Sequence, residues 1–365
     1  MKTRYENEKT ISVAYVNKKT VFLSLSLMLL FVLVLAASAG SVRVPFIDTV
    51  KIILVNFSNI ILKNFGIAMS YEGNAGWESI IYYIRLPRVL LAALVGASLS
   101  VSGAVMQGTF RNPMADPGIL GASSGAGLGA VSAIALGLTS RGVFYLPLFA
   151  CIGALAASLI IFYLAVKNGR ISVVSLILSG IAVSMFLSSF TTIILMYVRG
   201  DQVKQFIFWT VGSFNASRWE SIGIIIIPVF LSVTILMFMA RKLNVMSLGE
   251  EEAQSVGLNP SKTRLIMLVL SSISTAAAVS VSGIISFVGL IIPHILRLII
   301  GPDHRKLIPA SALGGAVFLV LCDLIGRTIL IPREINAGIV TSFLGAPYLL
   351  FLLNRSKSSG GIFGE

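Results

Sequence analysis

Charged residues are scarce in this chain, at 12% of 365 residues, and acids are scarcer still, with 15 Asp and Glu against 28 Lys and Arg. A soluble domain carries about 25% charged residues, so a water-exposed fold is excluded. Histidine and cysteine number two each. Cys151 and Cys322 fall inside apolar runs, which predicts small buried side chains and neither a disulfide nor a thiolate metal site. His294 and His304 stand apart without a ligand set around them, so no metal centre or cofactor is expected. No Ser–His–Asp or Cys–His constellation is present, and a catalytic role has no residues to carry it. The pattern GxxxxGK(S/T) is also missing, so nothing here can cradle a triphosphate. Any ATP-driven step falls to a separate chain. The basic residues form no patch interleaved with aromatics, which argues against nucleic acid as a partner.

What is present is apolar: 56% of residues, in runs close to the length that crosses a bilayer core. Ten spans are predicted, at 21–40, 89–108, 117–137, 143–166, 173–198, 222–240, 265–282, 284–300, 307–325 and 337–353. The eighth and tenth are short and interrupted by Gly and Pro, so they lean on neighbouring helices more than on lipid. With the N-terminus inside, sixteen Lys and Arg fall in cytoplasmic segments and eleven outside, the sense that the positive-inside rule prefers. The eleven outer cations face only six outer acids, an excess that points to an acidic partner there.

The expected organisation is a cytoplasmic tail at 1–20, one transmembrane domain at 21–354 and a second cytoplasmic tail at 355–365. Lys18-Lys19, the apolar run and Ala37-Ser38-Ala39 imitate a cleaved signal peptide, but the run exceeds the usual length and an uncleaved span is expected. The outer connector holds an apolar stretch, 52–69, broken by Asn and Lys, which reads as an interfacial helix. A second outer connector, 199–221, carries Trp209 and Trp219 at headgroup depth. The inner connector, 241–264, predicts a short helix over 247–257, with Ser247 as N-cap, acids in its first turn and Gly257 at its end. The later half repeats the plan of the earlier one in the opposite sense, as an inverted repeat would.

Gly, Ala and Ser crowd the spans around 85–129, which lets helix backbones approach closely in lipid. A polar hinge, 108–117, joins two of them, and Asn112 before Pro113 is ordinary turn chemistry. Arg85 and Arg88 flank the second span, where arginine anchors helix ends or meets a partner. Asp323 and Arg327 are spaced for an intrahelical ion pair. His294 follows Pro293 and could satisfy carbonyls that the proline frees.

Seven blocks carry a family resemblance: RLPR (85–88), GAxxxxxGxxMQ (96–107), NPMADPGILG (112–121), GEEEAQSVGLN (249–259), SGIISFVGLIIPHILR (282–297), DHR (303–305) and LGAPYLL (344–350). Over residues 80–354 the chain resembles the FecCD family, permease subunits of type II ABC importers for iron–siderophores, haem and vitamin B12. The resemblance implies an all-α fold of ten transmembrane helices in a bacterial or archaeal cell membrane. It implies a second copy of the chain or a paralogous permease with the cargo path between them, two ATPase subunits beneath and a substrate-binding protein above. Arg85, Arg88 and Arg327 fall on docking positions for that binding protein. Asn112 and Met114 fall on a cytoplasmic gate whose second loop, at Ser172 and Val173, departs from the family's Ser/Thr-rich pattern. Ser247, Leu248, Gly249, Glu250, Glu251, Ala253, Ser255 and Gly257 fall on the segment that couples to the ATPase. Within the family, ferric siderophore or haem is the expected cargo, with cobalamin or an oxyanion as alternatives. An ion-coupled secondary transporter is the competing class.

Overall fold

The computed structural model describes residues 18–62, 70–167 and 170–358. It is a helical bundle with one two-residue ladder, Val166–Lys167 against Arg170–Ile171. The helices are α1 (Lys18–Ser38), α2 (Phe46–Leu62), α3 (Ala75–Ser79), α4 (Leu86–Phe110), α5 (Ala122–Ala135), α6 (Tyr145–Ala165), α7 (Val173–Tyr197), α8 (Gly200–Thr210), α9 (Trp219–Phe238), α10 (Ala240–Leu248), α11 (Glu250–Ser255), α12 (Pro260–Ser282), α13 (Val288–Ile300), α14 (His304–Thr328) and α15 (Ala337–Ser358). Among the described residues seven helices are long and apolar enough to cross a membrane, and three shorter apolar ones accompany them. The tails fall largely outside the described residues, as does 63–69 of the predicted interfacial stretch. Helix α1 already begins at Lys18, inside the predicted tail.

Three predicted spans take a different form. The second is part of a 36-residue run, Ala75–Phe110, in which a π-helical segment, Ile80–Arg85, links α3 to α4. RLPR therefore lies within a helix and not ahead of one. The third opens with a 3₁₀ turn, Pro117–Leu120, and leaves only 14 helical residues in α5. The eighth starts as irregular chain. Gly283 (φ 71°) ends α12, and Phe287, also at φ 71°, delays α13 until Val288.

Helix α4 is the most enclosed of the long helices and packs against α9, α12, α13 and α14, whereas α7 is the least enclosed. Small residues set these contacts. Across α4 and α14, a Cβ on Gly96 would lie 2.2 Å from the Gly315 carbonyl oxygen. Across α5 and α6, a Cβ on Gly125 would lie 2.2 Å from that of Gly153. Such backbone contact gains dispersion energy where no hydrophobic drive operates.

The bundle has two ends. Lys18, Arg111, Asn244, Arg297 and His304 line one cavity and define the Lys18 end. Arg85 and Arg327 lie against the opposite end of α1, and Arg88, which shares Asp323 with Arg327, names that end the Arg88 end.

Candidate functional site

At the Arg88 end, the three arginines that fall on docking positions do not form an exposed rim in this chain. Arg85, Arg88 and Arg327 are all buried, at 5%, 8% and 4% exposure. A helix leaves its last carbonyls without intrahelical partners, and α1 ends in small residues that admit long side chains to them. Arg85 donates to the carbonyls of Ala37 (2.9 Å) and Ser38 (2.6 Å) and reaches that of Val42. Arg327 donates to the Ala39 carbonyl at 3.1 Å and reaches that of Ala36. Two cations thus cap α1, where they also complement its dipole. Arg88 forks onto Asp323, with Nη2–Oδ1 at 2.8 Å, and its Nη1 bonds Glu334 at 2.8 Å. The expected Asp323–Arg327 pair is present at a longer 3.5 Å. Glu334 was not marked by the sequence, because its partner lies 246 positions away.

In the hinge, the Asn112 side chain accepts the Met114 N–H at 2.8 Å, and Asp116 accepts that of Gly118 at 2.8 Å. Two successive Asx turns therefore shape the segment. Arg111, left-handed at φ 49°, ends α4 and donates to the Met246 carbonyl at 2.6 Å. Met114 is half-buried. Ser172 is exposed and caps α7 by accepting the Ser175 N–H at 3.4 Å. Val173 opens α7, and its side chain lies outside the described residues. The 3₁₀ turn after the hinge packs on α7, with Leu120 in one buried cluster with Leu176 and Val183.

The inner connector folds as a knuckle of two helices. Ser247 is not the N-cap: it lies inside α10 and its hydroxyl donates back to the Leu243 carbonyl at 2.9 Å. Gly249 separates α10 from α11, and Glu250, Glu251 and Glu252 fill the first turn of α11, where negative charge is favoured. Ser255 is exposed, its hydroxyl donating to the Glu252 carbonyl, and Gly257 takes φ 80°, as expected past a helix end. Ala253 is buried and Arg264 pairs with Glu250, so the knuckle is held against α12. Leu248 and Val256 point outward, at 73% and 66% exposure.

Beside the knuckle, Asp303 caps α14 and Asn244 binds both it (2.7 Å) and the backbone N–H of His304 (2.9 Å). Arg305, and then Asn244, hold the Asp303 carboxyl well below the usual carboxylate range. His294 does not serve the carbonyls near Pro293; its ring meets Tyr348 edge-on. Gln107 does so, donating to the carbonyls of Gly289 (3.3 Å) and Leu290 (3.0 Å). Its place in a small-residue run gave no sign of this.

The FecCD transport family model matches residues 28–355. The cobalamin import system permease protein BtuC of Halobacterium salinarum is 44% identical over 76% of this chain and 73% of its own length. The hemin transport system permease protein HmuU of Yersinia pestis is 44% identical over 75% of this chain and 83% of its own. A solved ABC transporter described as metal-chelate type, in an inward-facing conformation, superposes with a TM-score of 0.78 at 29% identity, covering 93% of this chain and 100% of that one. Fold, motif order and relatives agree: the chain belongs to the FecCD transport family and is a membrane permease subunit of an ABC importer.

Proposed function

We propose that this permease carries a metal chelate, a ferric siderophore or haem, into the cytoplasm along a path between itself and a second copy or a paralogous permease. Two separate ATPase subunits act on its Lys18 end, which faces the cytoplasm, and a substrate-binding protein feeds its Arg88 end. The observation that carries this reading is the knuckle of α10 and α11. Two large apolar side chains, Leu248 and Val256, stand exposed beside three exposed acids, outside the spans and on a braced support. Lipid does not explain an acidic, rigid projection; a protein cleft does.

The cargo class follows relatives named for cobalamin and hemin and a neighbour described as metal-chelate type. An ion-coupled carrier would need an available carboxylate within the bundle, and Asp323 is already held by Arg88. At the Arg88 end, Arg43, Arg141, Arg218 and Arg333 are exposed and form the docking cations, while Arg85, Arg88 and Arg327 shape that face from beneath. Asn112, Met114, Ser172 and Val173 form the gate at the other end.

Uptake by proteoliposomes tests the whole reading. With the candidate ATPase, ATP inside and the binding protein outside, ferric siderophore or haem accumulates inside the vesicle. Cobalamin accumulation without either iron chelate would overturn the cargo assignment. Uptake driven by an ion gradient without ATP would overturn the mechanism.

A further inference from the structure

At the Lys18 end a cavity of about 980 Å³ opens between the start of α1, the end of α4, α10 and the turn from α13 to α14. Its described lining holds four cations, Lys18, Arg111, Arg297 and Arg305, against one carboxylate, Asp303. That carboxylate is engaged, by Arg305 at 3.0 Å and by Asn244 at 2.7 Å. Arg297 has no carboxylate within 4.0 Å among the described residues, and its Nη2 is buried without a hydrogen-bond partner. Arg297 is half-buried in the cavity wall, and a guanidinium nitrogen sealed from water without a partner is disfavoured, so such an arginine at a membrane cavity points to a ligand.

Two further atoms on the same lining are orphaned. Gln107 Oε1 and His304 Nε2 are buried without partners, on residues 1% and 4% exposed. Gln107 uses its amide donor on the carbonyls of Gly289 and Leu290, which leaves Oε1 as a pure acceptor. His304 Nδ1 faces the Asn244 carbonyl oxygen at 2.8 Å, which assigns the proton to Nδ1 and leaves a lone pair on Nε2. The cavity lining thus holds one unpartnered guanidinium nitrogen and two unpartnered acceptors, of which His304 Nε2 lies over Gly108. An anion that also brings hydroxyl donors satisfies all three, while chloride or a bare carboxylate would leave the acceptors empty.

We propose that this cavity binds a phosphate group accompanied by hydroxyls, either the headgroup of a glycerol-bearing anionic phospholipid from the adjoining leaflet or free dihydrogenphosphate. Arg297 takes the phosphate charge, Gln107 and His304 accept from the hydroxyls, and Lys18 and Arg111 add positive field at the wall. Basic pockets between helices at this level of a membrane suit such headgroups. Pro113, Ile300 and Pro302 give the same cavity an apolar wall for the rest of a lipid. No step of transport is required for binding, so the site stands or falls apart from the cargo assignment.

The purified full chain, stripped of lipid in a neutral detergent, is titrated with dioleoylphosphatidylglycerol, with dioleoylphosphatidylcholine and with inorganic phosphate while thermal unfolding is followed. Phosphatidylglycerol raises the midpoint and phosphatidylcholine does not. Arg297→Gln weakens the apparent affinity about tenfold or more, the scale of one charge-assisted contact. Lys242→Gln, an exposed cation on neighbouring α10, leaves the affinity unchanged and controls for non-specific attraction. A midpoint rise with inorganic phosphate alone assigns the free ion, and a rise with phosphatidylglycerol alone assigns the headgroup. Native mass spectrometry of the unmodified chain gives a reading independent of any variant: phosphatidylglycerol is retained in preference to phosphatidylcholine. Equal retention of both lipids, or equal affinity in Arg297→Gln and the parent, overturns the proposal.

Discussion

Arg88 places a fork of two nitrogens on Asp323 and a third on Glu334, all at the end of the bundle where α1, α4 and α14 converge. Withdrawing such charges from water is unfavourable, and only multiple well-aligned contacts offset it. Removing one partner therefore does more harm than the pair does good. Arg88→Ala leaves the Asp323 carboxylate buried and unpaired except for the longer contact to Arg327, and should destabilise the chain by about 3–5 kcal/mol. Arg88→Lys should fall between, because an ammonium cannot bridge both acids with a planar fork. Arg333→Ala, at an exposed position, should stay within about 0.5 kcal/mol. Unfolding midpoints in detergent check the order, and equal midpoints for Arg88→Ala and Arg333→Ala would reduce the network to decoration. The sequence revealed the i, i+4 spacing of Asp323 and Arg327 because helix periodicity is local. It could not reveal that Arg88, 235 positions away, takes the closer place.

Elements were legible where periodic composition alone decides them and obscure where a single dihedral does. The long spans follow from apolar runs, and Gly96, Gly125 and their neighbours announced close packing by their size. The late start of α13 did not show, since the stretch IISFV at 284–288 is mostly apolar and nothing in its pattern says that Phe287 adopts a left-handed conformation. The short α5 has a matching cause: after the 3₁₀ turn Pro117–Leu120, Gly121 at φ 69° delays the helix until Ala122. These two broken helices hold matching places in the two halves and run in opposite directions, the arrangement an inverted repeat produces. The knuckle was legible in its acids and in Gly257 but not in its bend, because Ser247 resembles a cap until Gly249 is seen to separate two helices. Charge reversal at Glu250 and Glu251 tests this element. Lys at both positions should break the brace to Arg264 and present the wrong sign to the ATPase, so that transport and ATPase co-purification fall together while the permease still inserts. Full activity with an intact complex would return the knuckle to an ordinary solvated surface.

At the scale of the whole molecule, low charge and ten apolar segments already fixed a multi-pass membrane protein, while the partner surfaces depend on which side chains remain exposed after folding. Helix α7 carries exposed Met185, Phe186, Met196 and Tyr197 together with exposed Ser188, Ser189 and Thr192. A face that mixes hydroxyls with large apolar groups suits a second permease and an intervening path better than acyl chains alone. The 3₁₀ turn just after Met114 packs against this same helix, so if α7 faces the second copy, Met114 lies near the path between the two. Met114→Cys should therefore crosslink between the two copies. The parent chain supplies a quiet background, because Cys322 is buried and Cys151 lies within α6. The crosslink should stop chelate uptake and leave binding-protein docking intact, since the two sites are separated by about 30 Å of bilayer core. ATP turnover should continue, because the block lies on the cargo path and not at the nucleotide sites. Reversal by reductant should restore uptake. If no reagent length gives a crosslink, the hinge belongs to the interior of one subunit; if a complete crosslink leaves uptake at full rate, the cargo leaves by another route.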